Sequence, residues 1–249
     1  MDDFLDLKDG KRLSFRHVSG KKTVEILFMH GTLSDKNASK SLFLQEFCEK
    51  NNVGYTAFDF IGHGESSGKY TDGTIGIWLD NALNIIDRVA TGNLILVGSS
   101  MGGWISLLAA KARPERVKAM VGLAAAADFT VDVWNSFSDS QKRNIHSKGV
   151  IYTPNGWTEE GDPWTLQLFE DAEKYLLLKK EKTLDIQCPI TLIHGAKDDC
   201  VPVETAFKIM RSAKSDKVKI VILKNSWHRL SEPDELKVLE NELLMLLTD

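Results

Sequence analysis

Residues 95–112, ILVGSSMGGWISLLAAKA, constrain the fold more than any other stretch. An apolar run passes through three glycines and two serines into a helix of small and apolar residues. Gly98-x-Ser100-x-Gly102 marks the junction. A strand that turns sharply into a helix needs small residues at such a junction. Gly98 and Gly102 let strand and helix approach, and Gly103 leaves space beside Ser100. A serine in this turn stands at the carboxyl edge of a sheet, with a helix N-terminus facing any negative charge that develops there. The bland alternative is a plain strand-to-helix turn.

The same pattern recurs at Gly64-Glu65-Ser66-Ser67-Gly68, so the pattern alone decides nothing. Ser66 also follows a strand, but Lys69, Tyr70, Thr71, Asp72 and Gly73 come after it, which is a loop and not a helix. GHGESSG further resembles a phosphate-cradling G-x-G-x-x-G. It lacks the last glycine in register and the helix that must follow, so it is not read as a dinucleotide site. Ser100 is the nucleophile candidate.

The rest of the chain repeats the strand–helix alternation. A hairpin is expected from residues 4–7 with 12–17 around Asp9-Gly10. Strands follow at 23–30, 53–60, 93–97 and 117–125, with helices at 38–51, 75–89 and 101–112 between them. The alternation returns with a strand at 190–194, a helix at about 204–213, a strand at 218–223 and a last helix at 234–247. Ser231 and Pro233 are expected to start that helix as cap and first-turn proline. Such alternation predicts a mostly parallel, doubly wound α/β sheet covered on both faces, with the hairpin as its antiparallel edge.

Residues 128–187 break the pattern. They show no clear strand and carry Trp134, Trp157 and Trp164 among short helical stretches. They are expected to fold as a small helical lid over the sheet of a single domain spanning 1–249. Its large apolar groups are expected mostly to form its own small core. Trp134 and Trp164, with Leu33 from an early loop, are candidates to line a substrate pocket.

Composition narrows the function classes. With 249 residues, 43% hydrophobic and 27% charged, the chain can bury one sizeable core. A net charge of −4 gives no basic patch for nucleic acid. The apolar runs fall far short of the ~20 residues that span a bilayer. MDDFLDLKDGK is acidic and lacks the apolar core of a secretory signal. Cys48, Cys188 and Cys200 include no C-x-x-C pair, so free thiols in a reducing compartment are expected: the cytoplasm, or an organelle matrix if a targeting peptide has been removed. No metal or cofactor is called for, and the oligomeric state stays open.

A serine hydroxyl needs a base to take its proton and a carboxylate to orient that base. In doubly wound hydrolases the order along the chain is serine, acid, histidine. The strand at 190–194 ends in His194-Gly195-Ala196-Lys197-Asp198, which puts Asp198 in the loop at the edge where Ser100 emerges. Asp199 and Asp128 are the rival acids. His228 follows the strand at 218–223 and precedes the last helix, whereas His30 and His194 read as structural His-Gly turns. For the oxyanion, Met101 offers the N–H after the serine. Thr32 is expected to offer the second, with Leu33 as its rival.

LFMHGTLSD, FDFIGHGESSG, LVGSSMGGW, IHGAKDDCVP and NSWHRL, in that order, resemble an α/β-hydrolase from about residue 26 to the C-terminus. HGTLSDKNASK, GSSMGGW and HGAKDD are most similar to small serine esterases of the mitochondrial acyl-protein thioesterase and acyl-glucuronide esterase type and to their bacterial relatives. The resemblance implies cofactor-free hydrolysis of carboxylic esters or thioesters, of small-molecule or acyl-protein substrates. It also implies Ser100 as nucleophile, Asp198 as acid, His228 as base, and Thr32 and Met101 as oxyanion donors. A serine peptidase of the same fold would share the triad, with Glu159, Glu160 and Asp162 available to hold a substrate ammonium. A binding module that merely keeps the pocket would not react with a fluorophosphonate.

Overall fold

Every strand expected outside residues 128–187 joins one eight-stranded sheet. The computed structural model describes residues 3–155, 159–179 and 184–248. A hairpin of β1 (Asp3–Asp6) and β2 (Arg12–Val18) opens the chain. Then β3 (Val24–Met29), α1 (Ser39–Asn51), β4 (Gly54–Phe58), α2 (Ile75–Arg88), β5 (Asn93–Ser99), α3 (Met101–Ala112) and β6 (Val117–Leu123) follow. After an intervening segment come β9 (Ile190–Gly195), α7 (Glu204–Ser212), β10 (Val218–Leu223) and α8 (Pro233–Thr248).

The strand order is β1-β2-β4-β3-β5-β6-β9-β10. β2 pairs antiparallel with β1 and β4, and all other neighbours are parallel. Parallel strands are buried on both faces, and the central ones alternate between two cores. Leu27 and Leu96 face Trp78, Trp104 and Ile105 on one side. Ile26, Ile95 and Val97 face Phe47, Leu239 and Leu243 on the other. Truncating a fully buried leucine such as Leu96 to alanine would cost about 2–5 kcal/mol. The chain winds one way from β3 to β4 and the other way from β5 onward. The carboxyl ends of β3 and β5 therefore flank the crevice where such sheets bind ligands.

Two local readings change. The intervening segment contains strands: β7 (Val150–Thr153) pairs antiparallel with β8 (Asp162–Thr165), beside α4 (Phe129–Ser136), α5 (Asp139–Lys148) and α6 (Leu166–Ala172). Four-residue strands, one of them holding Pro163, are too short to show alternation. Ser231 is also not the cap of α8. Glu232 holds that place: its N–H donates to Glu235 Oε2 at 2.9 Å and its carbonyl accepts from Leu236 N–H at 2.9 Å. Pro233 stands in the first turn as expected.

The intervening segment has its own small core of Phe137, Ile145, Ile151 and Phe169, with Trp134 and Trp164 against it. The chain is back beside the main sheet by Leu184, which bridges to Ala213. Trp157 lies outside the described residues. Among those described, no helix is long and apolar enough to cross a membrane.

Candidate active site

Ser100 sits between β5 and α3 with φ 53° and ψ −120°, a sparsely populated backbone region for a residue with a side chain. The surroundings impose it. A Cβ on Gly98 would lie 2.3 Å from the Gly102 carbonyl oxygen, and one on Gly102 would lie 2.1 Å from that of Met29. No larger residue fits where strand, helix and the end of β3 meet. The turn lifts Ser100 above the sheet at the first turn of α3, where Met101 N–H lies outside the helical ladder.

His228 lies in the loop after β10, and its Nε2 is 3.0 Å from Ser100 Oγ. Its Nδ1 is 2.9 and 3.1 Å from the two carboxylate oxygens of Asp198, in the loop after β9. An ionised carboxylate only accepts, so Nδ1 carries the proton and Nε2 is free to accept from the serine hydroxyl.

The Asp198 side chain is fully buried. Burial disfavours its charge, yet donors from His194, His228 and the Val201 N–H outweigh it and hold the carboxyl well below the usual carboxylate range. Oδ1 accepts from Cys200 N–H at 2.9 Å and Val201 N–H at 2.8 Å. His194 Nε2 lies 3.2 Å from Oδ2 and 2.9 Å from the Val201 carbonyl. Facing two acceptors, that nitrogen must carry a hydrogen. The sequence reading of His194 as a structural turn missed this contact. Its i, i+4 spacing from Asp198 was the available signal.

The rival residues point elsewhere. Ser66 Oγ donates to the Asp59 carbonyl at 2.6 Å and accepts from Ser14 N–H at 2.9 Å, so its hydroxyl ties loop to sheet. Asp128 accepts from Leu177 and Leu178 N–H at 2.8–3.1 Å and thereby clamps the segment before β9. Asp199 faces the cleft but meets Cys200 Sγ, not the imidazole.

The loop after β3 passes directly over the serine, since a Cβ on Gly31 would stand 3.1 Å from Ser100 Cβ. Thr32 and Leu33 come next, and Leu33 adopts φ 53°. This loop is anchored by Lys36, a fully buried lysine. Its Nζ meets Asp59 Oδ2 at 3.0 Å and Glu65 Oε2 at 2.5 Å, and its N–H meets Asp59 Oδ1 at 2.7 Å. Removing the Lys36 ammonium would leave the buried Asp59 carboxylate without its counter-charge.

A cleft of about 950 Å³ opens above Ser100. Phe129, Val133 and Trp164 form its wall from the intervening segment, and Thr32, Leu33, Met101 and Val201 line the sheet side. Trp134, expected in the pocket, is instead packed among Phe137, Phe169 and His146, away from the cleft lining. Its spacing could not tell the segment's core from its inner wall.

Asp198, Cys200 and His228 each present a ligand atom within 4.8 Å of the others. The donor set fits a metal poorly, because Asp198 and His228 Nδ1 already bond each other. Burial and the Asp199 carboxylate also push the Cys200 thiol up to about 11, which keeps it protonated.

A profile of the prolyl oligopeptidase family matches residues 80–245. The human mitochondrial palmitoyl-protein thioesterase ABHD10 is 38% identical over 238 residues, covering 95% of this chain and 76% of the relative. Its name falls on the organelle side of the two compartments expected from the sequence. The structure of mouse alpha/beta hydrolase domain-containing protein 10 superposes with a TM-score of 0.92 at 32% identity, covering 100% of this chain and 98% of the other. A putative hydrolase from Agrobacterium vitis superposes with a TM-score of 0.93 at 27% identity, covering 99% and 98%.

Proposed function

Since this chain belongs to the α/β-hydrolase family that includes the ABHD10 thioesterases, we propose that it cleaves acyl thioesters and carboxylic esters through an acyl intermediate on Ser100. The observation that carries the reading is the continuous hydrogen-bond line from Ser100 Oγ through His228 to Asp198.

His228 Nε2 takes the serine proton as Oγ attacks the acyl carbon, and returns it to the leaving thiolate or alkoxide. Asp198 keeps Nδ1 protonated and stabilises the imidazolium while it lasts. The oxyanion is received by the N–H groups of Met101, at the start of α3, and Thr32, in the loop over the serine. Water then attacks the acyl carbon as it gives a proton to His228, and collapse of that adduct breaks the acyl–Oγ bond while His228 returns the proton to Ser100 Oγ, releasing the acid. The apolar wall of Phe129, Val133 and Trp164 accommodates the acyl chain, and the segment of residues 128–187 serves as the cap of a single domain.

Ser100→Ala should abolish hydrolysis of p-nitrophenyl esters and acyl thioesters and remove labelling by a fluorophosphonate, with folding intact. Ser66→Ala should retain most activity and labelling. The opposite pattern would overturn the assignment. The prolyl oligopeptidase match leaves amide cleavage as the rival reading. Asp162 does reach the cleft, but its carboxylate is engaged by Asn155 at 2.7 Å. Turnover of aminoacyl amides above that of esters would favour the peptidase.

A further inference from the structure

The loop that carries His228 is tied down just before it, where the Lys197 N–H donates to the Ser226 carbonyl at 3.0 Å, and just after it, where Ser231 Oγ donates to the Arg229 carbonyl at 3.1 Å. Trp227, before it, is 56% exposed, and Arg229, after it, faces the solvent. Leu230 is buried at 3% exposure, but it sits at φ +47°, a conformation that leucine resists unless its surroundings hold it. Across the cleft, in the first turn of α1, stands Lys40. Its Nζ donates to the Arg229 carbonyl oxygen and, at 3.2 Å, to Ser231 Oγ. These bonds join residues about 190 apart in the chain and bracket the strained leucine on both sides. They hold the backbone one residue beyond His228.

The ammonium is also withdrawn from water. Burial pushes it down to about 8; Glu235 of α8 opposes that shift and Arg229 of the loop adds to it. A lysine placed only to solvate the surface would extend its head outward. Lys40 instead turns its head onto main-chain oxygen, and it belongs to the cleft lining beside Ser231, Glu232 and Glu235.

We infer that Lys40 is a positioning residue for His228: by tethering the Arg229 carbonyl and Ser231, it keeps the imidazole between Ser100 and Asp198. This rests on the reading of His228 as the base. Proton transfer tolerates little misplacement, and a shift of about 1 Å can cost about 10²-fold in rate. Because the neutral amine still donates, the tether depends on the donor atoms more than on the charge.

The test compares Lys40→Met, Lys40→Arg and, as a control, Lys50→Met at the exposed far end of α1. Active sites are titrated with a fluorophosphonate, so that kcat is counted per reactive serine, and KM and Tm are measured alongside. Lys40→Met should lose about 10- to 100-fold in kcat per site on acetyl and octanoyl esters, with KM within about twofold and Tm within a few degrees. Lys40→Arg, which keeps donors toward both oxygens, should recover most of the loss, and Lys50→Met should match the parent. An unchanged kcat per site with fewer titratable sites would reduce Lys40 to a folding role. A raised KM at constant kcat would make it a substrate contact. Either result overturns the inference, while an active Ser100→Ala would instead overturn the mechanism on which it rests.

Discussion

His194 Nε2 and His228 Nδ1 converge on one oxygen, Asp198 Oδ2, at 3.2 and 2.9 Å. With the Cys200 and Val201 N–H groups on Oδ1, the carboxylate is surrounded by four donors. Two of them come from its own loop, one from His194 at the end of β9 and one from His228 in the loop after β10. The site therefore stabilises a charge in a place that burial alone would make neutral.

Asp198→Asn should accordingly lower kcat by orders of magnitude, roughly 10⁴-fold if it follows the best-studied serine triad. The amide would turn an N–H toward donors and lose the proper tautomer of His228. Asp199→Asn should change kcat little. Asp128→Asn should act on Tm more than on kcat, because its carboxylate bonds Leu177 and Leu178. His194→Ala should fall between, about 10-fold down in kcat, by removing one donor of four. Stopped-flow ester hydrolysis on the four variants checks the order. Equal mild losses at 198 and 199 would refute it.

The second prediction concerns acid. His30 and His63 stack in one buried cluster with Phe60, Tyr70 and Trp78. Burial pushes His30 down to about 4 and His63 down to about 3, with the neighbouring His30 adding to the latter. Their folded values lie below the unfolded value near 6.5. The unfolded chain therefore binds more protons below that pH. Stability is fully present above about 6.5 and is lost as pH falls toward 4, by roughly 3 kcal/mol for each histidine. Urea unfolding at pH 7.5 and 4.5 should show a smaller gap in His63→Gln than in the parent. An unchanged gap would remove His63 from the account.

Acyl-chain length tests the cleft. Each methylene buried against Phe129, Val133 and Trp164 is worth about 0.8 kcal/mol, or about fourfold in kcat/KM. The ratio kcat/KM should rise from acetyl to about octanoyl esters and then level off. Trp164→Ala should flatten that rise, because its ring lines the cleft. Trp134→Ala should lower Tm instead, because its ring is packed on Phe137 and Phe169. Acetyl esters as the best substrates, unaffected by Trp164→Ala, would leave the wall without a role in specificity.

Much of the framework was written locally. The buried strands betray themselves by short apolar runs, and the helices by spacing, because both depend on near neighbours in the chain. Small residues around Ser100 likewise signal a tight junction, and loop context alone separated it from Ser66. The hairpin at Val150–Thr153 and Asp162–Thr165 escaped because pairing supplies what four residues cannot encode. The cap of α8 escaped because glutamate at 232 works only through Glu235 reaching back.

The sequence by itself determined the doubly wound sheet, its order of strands and helices, and which residues end on the same sheet edge. It did so because backbone hydrogen bonding and apolar periodicity act over a few residues. Only the tertiary structure decided that Asp198 rather than Asp199 or Asp128 meets His228, that His194 shares its carboxylate, that Lys40 reaches the Arg229 carbonyl, and that Trp164 and not Trp134 faces the cleft. Those outcomes depend on side-chain direction across distant loops. A difference of one residue or one rotamer reverses them, and apart from the four-residue spacing of His194 and Asp198 nothing local in the chain records which way they fall.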